Sequence, residues 1–202
     1  MKGTAMKIRI AAAVALAALI LASRVLAEDV TTYDAKGHLQ FPASYREWVF
    51  LSSGFDMSYI DTPSPMHVFD NVFVNPEAYR AFKETGTWPD KTIFVLEARG
   101  ADSKGSINKS GSYQNRETVG FEIHVRDSSR FKDNWAFFHF DKPEGMAIEM
   151  KHTAACYSCH QAHGAVDTTF TQFYPTLIGI AEEKKTLSAN YLKEQLPPAP
   201  RP

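Results

Sequence analysis

An α+β fold, with a mainly antiparallel sheet and flanking helices, is predicted by three features of the sequence. Short runs rich in β-branched and aromatic residues recur at 67–74, 92–99, 118–125 and 135–140. A well-punctuated helical stretch sits between the first two of these runs. Helical sequence that carries both cysteines of the chain follows the last.

The N-terminus is read apart from the fold. Lys2, Lys7 and Arg9 precede an apolar run from Ala11 to Ala22, and Val25 and Ala27 precede the polar Glu28-Asp29. This pattern predicts a secretory signal over residues 1–27, cleaved after Ala27, and export to the periplasm. A membrane anchor would need about 20 apolar residues, more than this run provides. Removing 27 of 202 residues leaves 175, enough for one domain, which we place at 28–185. The 22 basic and 23 acidic residues of the whole chain become 18 and 23 without the leader, a net charge of −5. With no basic cluster, nucleic acid is excluded as a partner.

Taken in order, the elements are as follows. Tyr45, Trp48 and Val49 have i, i+3, i+4 spacing, which predicts an amphipathic helix opened by Pro42. "GFDMSYIDTPSPM" reads as turn, and "HVFDNVFV" (67–74) as a strand. Asn75 as N-cap, Pro76 at the first helical position and Gly86 just past the end bound a helix with Tyr79 and Phe82 facing inward. "TIFVLEAR", "TVGFEIHV" and "WAFFHF" are further strands, with a Gly/Ser/Asn-rich hairpin loop over 100–112. A short helix is expected from Thr153 to Gly164 and another from Thr171 to Lys185. Residues 186–202, ending "QLPPAPRP", are expected to form a disordered Pro-rich tail.

The chemistry concentrates in "CYSCH". Cys156 and Cys159 are the only cysteines, and His160 follows directly. Residues three apart lie on one helix face, so two thiols at this spacing match the two vinyl groups along one porphyrin edge, and the next residue presents an imidazole to the iron. The motif thus predicts haem c, bound covalently through two thioethers, with His160 as the iron ligand. A Cys156–Cys159 disulfide would close almost no loop and stabilise little. A thioredoxin-like pair belongs after a strand in a βαβ unit, and a zinc site could recruit His160, His163 or His152 but lacks a second Cys or His pair at ligand spacing. Met57, Met66, Met146 and Met150 could each supply a sixth ligand on chemistry alone, but no spacing selects one, and core packing is the expectation for each. His163 is placed on the surface, and His124 and His139 receive no role.

A haem motif placed late, behind a strand-rich body, suits neither a small helical cytochrome c nor a four-helix cytochrome c′. The sequence resembles the cytochrome P-460 family, which includes the cytochromes c′-β. The resemblance rests on "YREWVF", "FDNVFVNPEAY", "WPDKTIFVLE", "GFEIHVRDSSRF", "NWAFFHF" and "ACYSCHQAHGAVDTTFTQFYPTL", in that order from Tyr45 to Leu177. It implies an antiparallel sheet with a c-type haem at its face, and a homodimer. One branch oxidises hydroxylamine and carries a lysine cross-linked to the porphyrin, in a strand reading roughly V-K-E. Here that strand reads "FVLE" and the lysine position holds Leu96, a departure that counts against hydroxylamine oxidation, although Lys91, Lys104 and Lys109 lie nearby in sequence. The other branch binds nitric oxide or carbon monoxide.

By the same resemblance, His67, Asp70 and Leu96 are expected beside the open iron site. Leu96 would crowd a sixth ligand, and His67 and Asp70 would act as acid or base. A regular strand points residues three apart to opposite faces, so His67 and Asp70 share a pocket only if the chain runs irregularly after Pro65. Three functions follow: a five-coordinate haem protein that binds or detoxifies nitric oxide or related nitrogen oxides, an oxidoreductase acting on hydroxylamine, and an electron carrier that docks a redox partner protein.

Overall fold

The structure, a computed structural model, describes residues 31–59, 61 and 65–195. The expected signal peptide and residues 196–202 lie outside the described residues. Five strands form one antiparallel sheet in chain order: β2 (Val49–Phe55), β3 (Val68–Val74), β4 (Ile93–Asp102), β5 (Tyr113–Arg126) and β6 (Trp135–Phe140). A separate two-stranded pair joins β1 (Leu39–Gln40) to β7 (Met146–Ala147). Helix α1 (Pro76–Thr85) connects β3 to β4, while α2 (Ala155–His163), α3 (Ile178–Lys184) and α4 (Ala189–Glu194) follow the sheet. The fold is therefore α+β and mainly antiparallel.

Pleating gives the sheet two faces, and both are covered. On one, Val74, Phe94, His124 and Phe137 are successive register partners across β3–β6, and Val72, Leu96, Glu122 and His139 form the adjoining row. Over part of this face Phe82 of α1, Ala181 of α3, Trp88 and Leu177 build the main core with Val74 and Phe94. The other face carries Phe73, Phe121 and Phe140, packed edge-on by Phe41 and Tyr45 of the N-terminal segment. It also buries Glu97, whose Oε1 accepts from the Tyr45 hydroxyl at 2.9 Å, Arg46 at 2.5 Å and Arg99 at 2.8 Å.

Several local expectations change. The helix expected at Tyr45 is one 3-10 turn, Tyr45–Glu47, because the apolar spacing extends over too few residues and the β-branched Val49 leads directly into β2. Asn75 stands at the N-cap of α1, but its side chain does not cap. Its Oδ1 accepts from the Ile93 amide at 2.9 Å and so ties the helix start to β4. Gly86 does terminate α1: it has φ +73°, and a Cβ there would lie 2.7 Å from the Lys184 Cβ of α3. The single helix expected over 171–185 is split into a 3-10 turn, Thr171–Phe173, and α3, because Pro175 forces Tyr174 to extend. Regular structure also runs past residue 185. The Ser188 hydroxyl caps α4 by accepting from the Tyr191 amide at 3.1 Å, so 186–195 does not belong to a disordered tail.

Candidate functional site

Helix α2 sets Cys156, Cys159 and His160 at i, i+3, i+4, and all three line one cavity of about 410 Å³ between α2 and the sheet. Both cysteines are free thiols. The His160 Nδ1–H donates to the Thr168 carbonyl at 2.6 Å, which leaves the lone pair on Nε2. Phe170 stacks on the ring at 4.0 Å between centroids and Phe137 meets it edge-on at 4.7 Å. Burial holds the His160 pKa below its ordinary value, so the ring is a neutral donor near pH 7.

The orientation of His160 depends on the loop that returns after α2. Gly164 closes the helix where a Cβ would lie 2.7 Å from the His160 oxygen, 2.8 Å from the Thr169 nitrogen and 2.9 Å from the Thr168 carbonyl carbon. Its φ is −64°, so glycine is needed here for space and not for a left-handed backbone. The loop is then fixed to the sheet side. The Thr169 hydroxyl accepts from Trp88 Nε1 at 2.9 Å, and Asp167 pairs with Arg126 at 2.7 Å.

The sheet wall is contributed by Val72, Leu96, Glu122 and His124, with Asp70 at its end. Burial, aided by the charge of Asp56, raises the Asp70 pKa. His67 does not join Asp70. It lies at the exposed start of β3, pairs with Asp56 at 2.6 Å and stacks on Phe55, because regular pleating sends it away from the cavity. Leu96 lines the cavity as expected of a residue one register step from Val72. No lysine is among the cavity-lining residues described; Lys91 is engaged by Asp127 at 2.5 Å.

Among the cavity residues that sequence reasoning did not place at the site are His124, Glu122 and Tyr59. His124 is buried, stacks on Phe137 at 4.0 Å and meets His160 edge-on at 5.0 Å, while its Nε2 has no hydrogen-bond partner. Burial holds its pKa well below the ordinary value. Glu122 contributes a carboxylate, and Tyr59 lines the cavity with its ring 5.8 Å from that of Phe170. The signal available for the first two was the alternation Gly120, Glu122, His124 against Phe121, Ile123, Val125, which assigns them one common face. Of the methionines, only Met57 lines the cavity among the described residues. Its Sδ occupies the space over Gly54, where a Cβ would be 2.3 Å away.

A family model described as Cytochrome P-460 matches residues 42–171, nearly two thirds of the chain. The chain belongs to the cytochrome P-460 family. It is accordingly a haem-containing cytochrome, and iron comes with the haem. Comparison with curated proteins gives no match. The cavity suits the group the family implies: one wall offers two free thiols and an imidazole with a free Nε2, and the remaining lining is mostly apolar. The unpartnered Nε2 of His124 is a further polar atom that a polar edge of such a group would satisfy.

Proposed function

We propose that this cytochrome is an exported mono-haem c-type protein whose iron is open to small ligands, and that it binds or detoxifies nitric oxide or related nitrogen oxides. The convergence of Cys156, Cys159 and His160 on one cavity carries this reading. In this reading Cys156 and Cys159 would hold the haem by thioether bonds and the His160 Nε2 would ligate its iron. The haem supplies a redox-active iron able to take up a diatomic molecule. The chain supplies the rest. Thr168 and Phe170 fix the His160 ring, while Leu96 and Val72 keep the sheet wall apolar. Asp70 and Glu122 are the carboxyl groups able to give or accept a proton at the cavity surface. Leu96 at the position compared with the cross-linking lysine, and the lack of lysine among the described lining residues, support gas binding over hydroxylamine oxidation.

Two measurements test this. After acid denaturation and digestion, the haem mass is expected on the peptide that contains Cys156 and Cys159, with no lysine attached. Nitric oxide is expected to shift the Soret band of the ferrous protein, and an unmoved band would end the proposal. Sedimentation would show whether the protein is the homodimer that the family resemblance implies.

A second reading rests on Met57. Met57 lines the same cavity, and if its sulfur served as a second iron ligand the protein would be an electron carrier for a redox partner. That reading expects a low-spin ferric spectrum which Met57→Ala converts to high spin. The gas-binding reading expects high spin in both proteins.

A further inference from the structure

We propose that Asp70 gives the cavity its charge selectivity: it turns away small anions such as nitrite, and the ligand that enters is an uncharged molecule such as nitric oxide. The inference rests on the cavity being the haem site. Asp70 lines the cavity from β3 and is partly buried. Its register partners are Gly54 on β2 and Ala98 on β4, so the flanking strands set no charge and no side-chain donor beside it. Met57, whose Sδ lies over Gly54, is also uncharged. Among the described residues no basic side chain pairs with Asp70. The charge it feels is that of Asp56, a second carboxylate, which is itself paired with His67 at 2.6 Å.

The rest of the lining does not offset this carboxylate. No lysine or arginine is among the described lining residues. The two histidines there, His124 and His160, are held neutral by burial. Glu122 is the other carboxylate and has the same sign, but its side chain is half-exposed and bonded to His139 at 2.9 Å, so water and the imidazole weaken its field. Asp70 has neither that exposure nor such a partner. Its reach shows at Tyr59: burial, and after it the charge of Asp70, raise the pKa of that lining tyrosine.

Like charges in a partly enclosed, mostly apolar space repel more strongly than in water, because less solvent lies between them. Burial, and then the charge of Asp56, raise the Asp70 pKa, and the same two causes oppose a further negative charge brought into the cavity. An anion that binds the iron has to lie in this space and meets that repulsion. Nitric oxide and carbon monoxide carry no net charge and do not. The discrimination comes from disfavouring the wrong ligand and adds no attractive contact to the right one. It also narrows the proposed function: among nitrogen oxides the uncharged ones are the ligands, and nitrite is disfavoured.

The test titrates the ferric, haem-loaded full-length protein with azide and, separately, with nitric oxide, followed at the Soret band at about pH 8, where azide is an anion. The quantity compared is the ratio of azide affinity to nitric oxide affinity. Asp70→Asn, close to the same shape without the charge, is expected to raise this ratio about fivefold or more, and Asp70→Glu to keep it near the wild-type value. Glu84→Gln removes the same charge from the exposed side of α1 and controls for net charge; it is expected to change the ratio by less than about twofold. The haem reduction potential is a second readout. A negative charge in the cavity favours the ferric state, so Asp70→Asn should raise the potential, which a purely structural role would not require. A ratio that Asp70→Asn leaves within about twofold of wild type overturns the proposal. So does an Asp70→Glu ratio as high as that of Asp70→Asn, or a Glu84→Gln effect as large. A protein that takes up no haem overturns both readings. One that binds haem but leaves its ferrous band unmoved by nitric oxide fails the proposed function, and the azide affinities of the variants then decide the role of Asp70 by themselves.

Discussion

Replacing Gly164 by alanine tests the link between the fold and the histidine. The added methyl would sit 2.7–2.9 Å from three backbone atoms, those of His160, Thr168 and Thr169. Backbone yields less readily than the end of a flexible side chain, so the clash is expected toward the upper end of the overpacking range, about 1–3 kcal/mol. For a chain of this size that corresponds to a melting temperature lower by roughly 3–10 °C. The strain falls on the Thr168 carbonyl that accepts from His160 Nδ1, so the iron–imidazole stretching frequency of the haem-loaded protein should shift as well. Gly179 provides the control. It is exposed within α3 with nothing within 4 Å of its would-be Cβ, and alanine there should stabilise by about 0.5–1 kcal/mol. The same chemical change thus has opposite signs at two helix-associated glycines. Thermal unfolding of both variants is the assay. If Gly164→Ala melts within about 1 °C of wild type, the close-approach argument is wrong.

Three other expectations concern charge and capping. Tyr45, Arg46 and Arg99 hold the Glu97 pKa below its ordinary value despite burial, so its stabilisation is complete above about pH 4.3 and lost as pH falls through the lower folded value. Glu97→Gln should lower neutral stability and flatten the acid limb of a urea-midpoint-against-pH curve; an unchanged acid limb would refute the assignment. Asp70 has the opposite sign: its folded pKa is raised, so the folded state holds the extra proton and stability declines as pH rises through the window above about 3.9. Asp70→Asn should therefore be more stable than wild type near neutrality and equal to it in acid, as read from the same midpoints. Ser188→Ala removes the cap of α4, about 1 kcal/mol, and should speed hydrogen exchange at the Tyr191 amide while leaving the sheet amides unchanged.

What the sequence made legible divides along physical lines. The central strands and α1 announce themselves, because alternation, Pro76 and Gly86 are local signals. The short elements do not: β1 and β7 are two residues each and exist because they pair with one another across about a hundred residues. Tyr45 misled because three apolar residues at helical spacing are also what a 3-10 turn needs to place one aromatic ring against Phe73 and Phe121. At the site, the residues of α2 were legible because their spacing is itself the chemistry. The loop that orients His160 was not, since a backbone carbonyl leaves no mark in a sequence.

The strand β5 shows why the cavity wall was harder to read than the helix. Alternation along a strand assigns residues to two faces but does not say what covers each face. The customary inference sends the apolar set, Phe121, Ile123 and Val125, to the core and the polar set, Glu122 and His124, to solvent. The first half of that inference is correct: all three are buried, and Phe121 packs directly on Phe41 and Tyr45. The second half holds for Glu122, whose side chain is half-exposed at the cavity edge, and fails for His124, because that part of the other face is covered. A buried imidazole with an unpartnered nitrogen is costly in an ordinary core. It becomes reasonable where the missing partner is a bound group with polar edges, and that is the environment the cytochrome P-460 family provides. The same logic separates His124 from His139. They are two residues of neighbouring strands on the same face, but one has its ring enclosed by Trp135, Phe137 and His160, whereas the other is half-exposed and bonded to Glu122 and Asp141. Equal residue types on equal faces are thus given different work by their row in the sheet, which only the register determines.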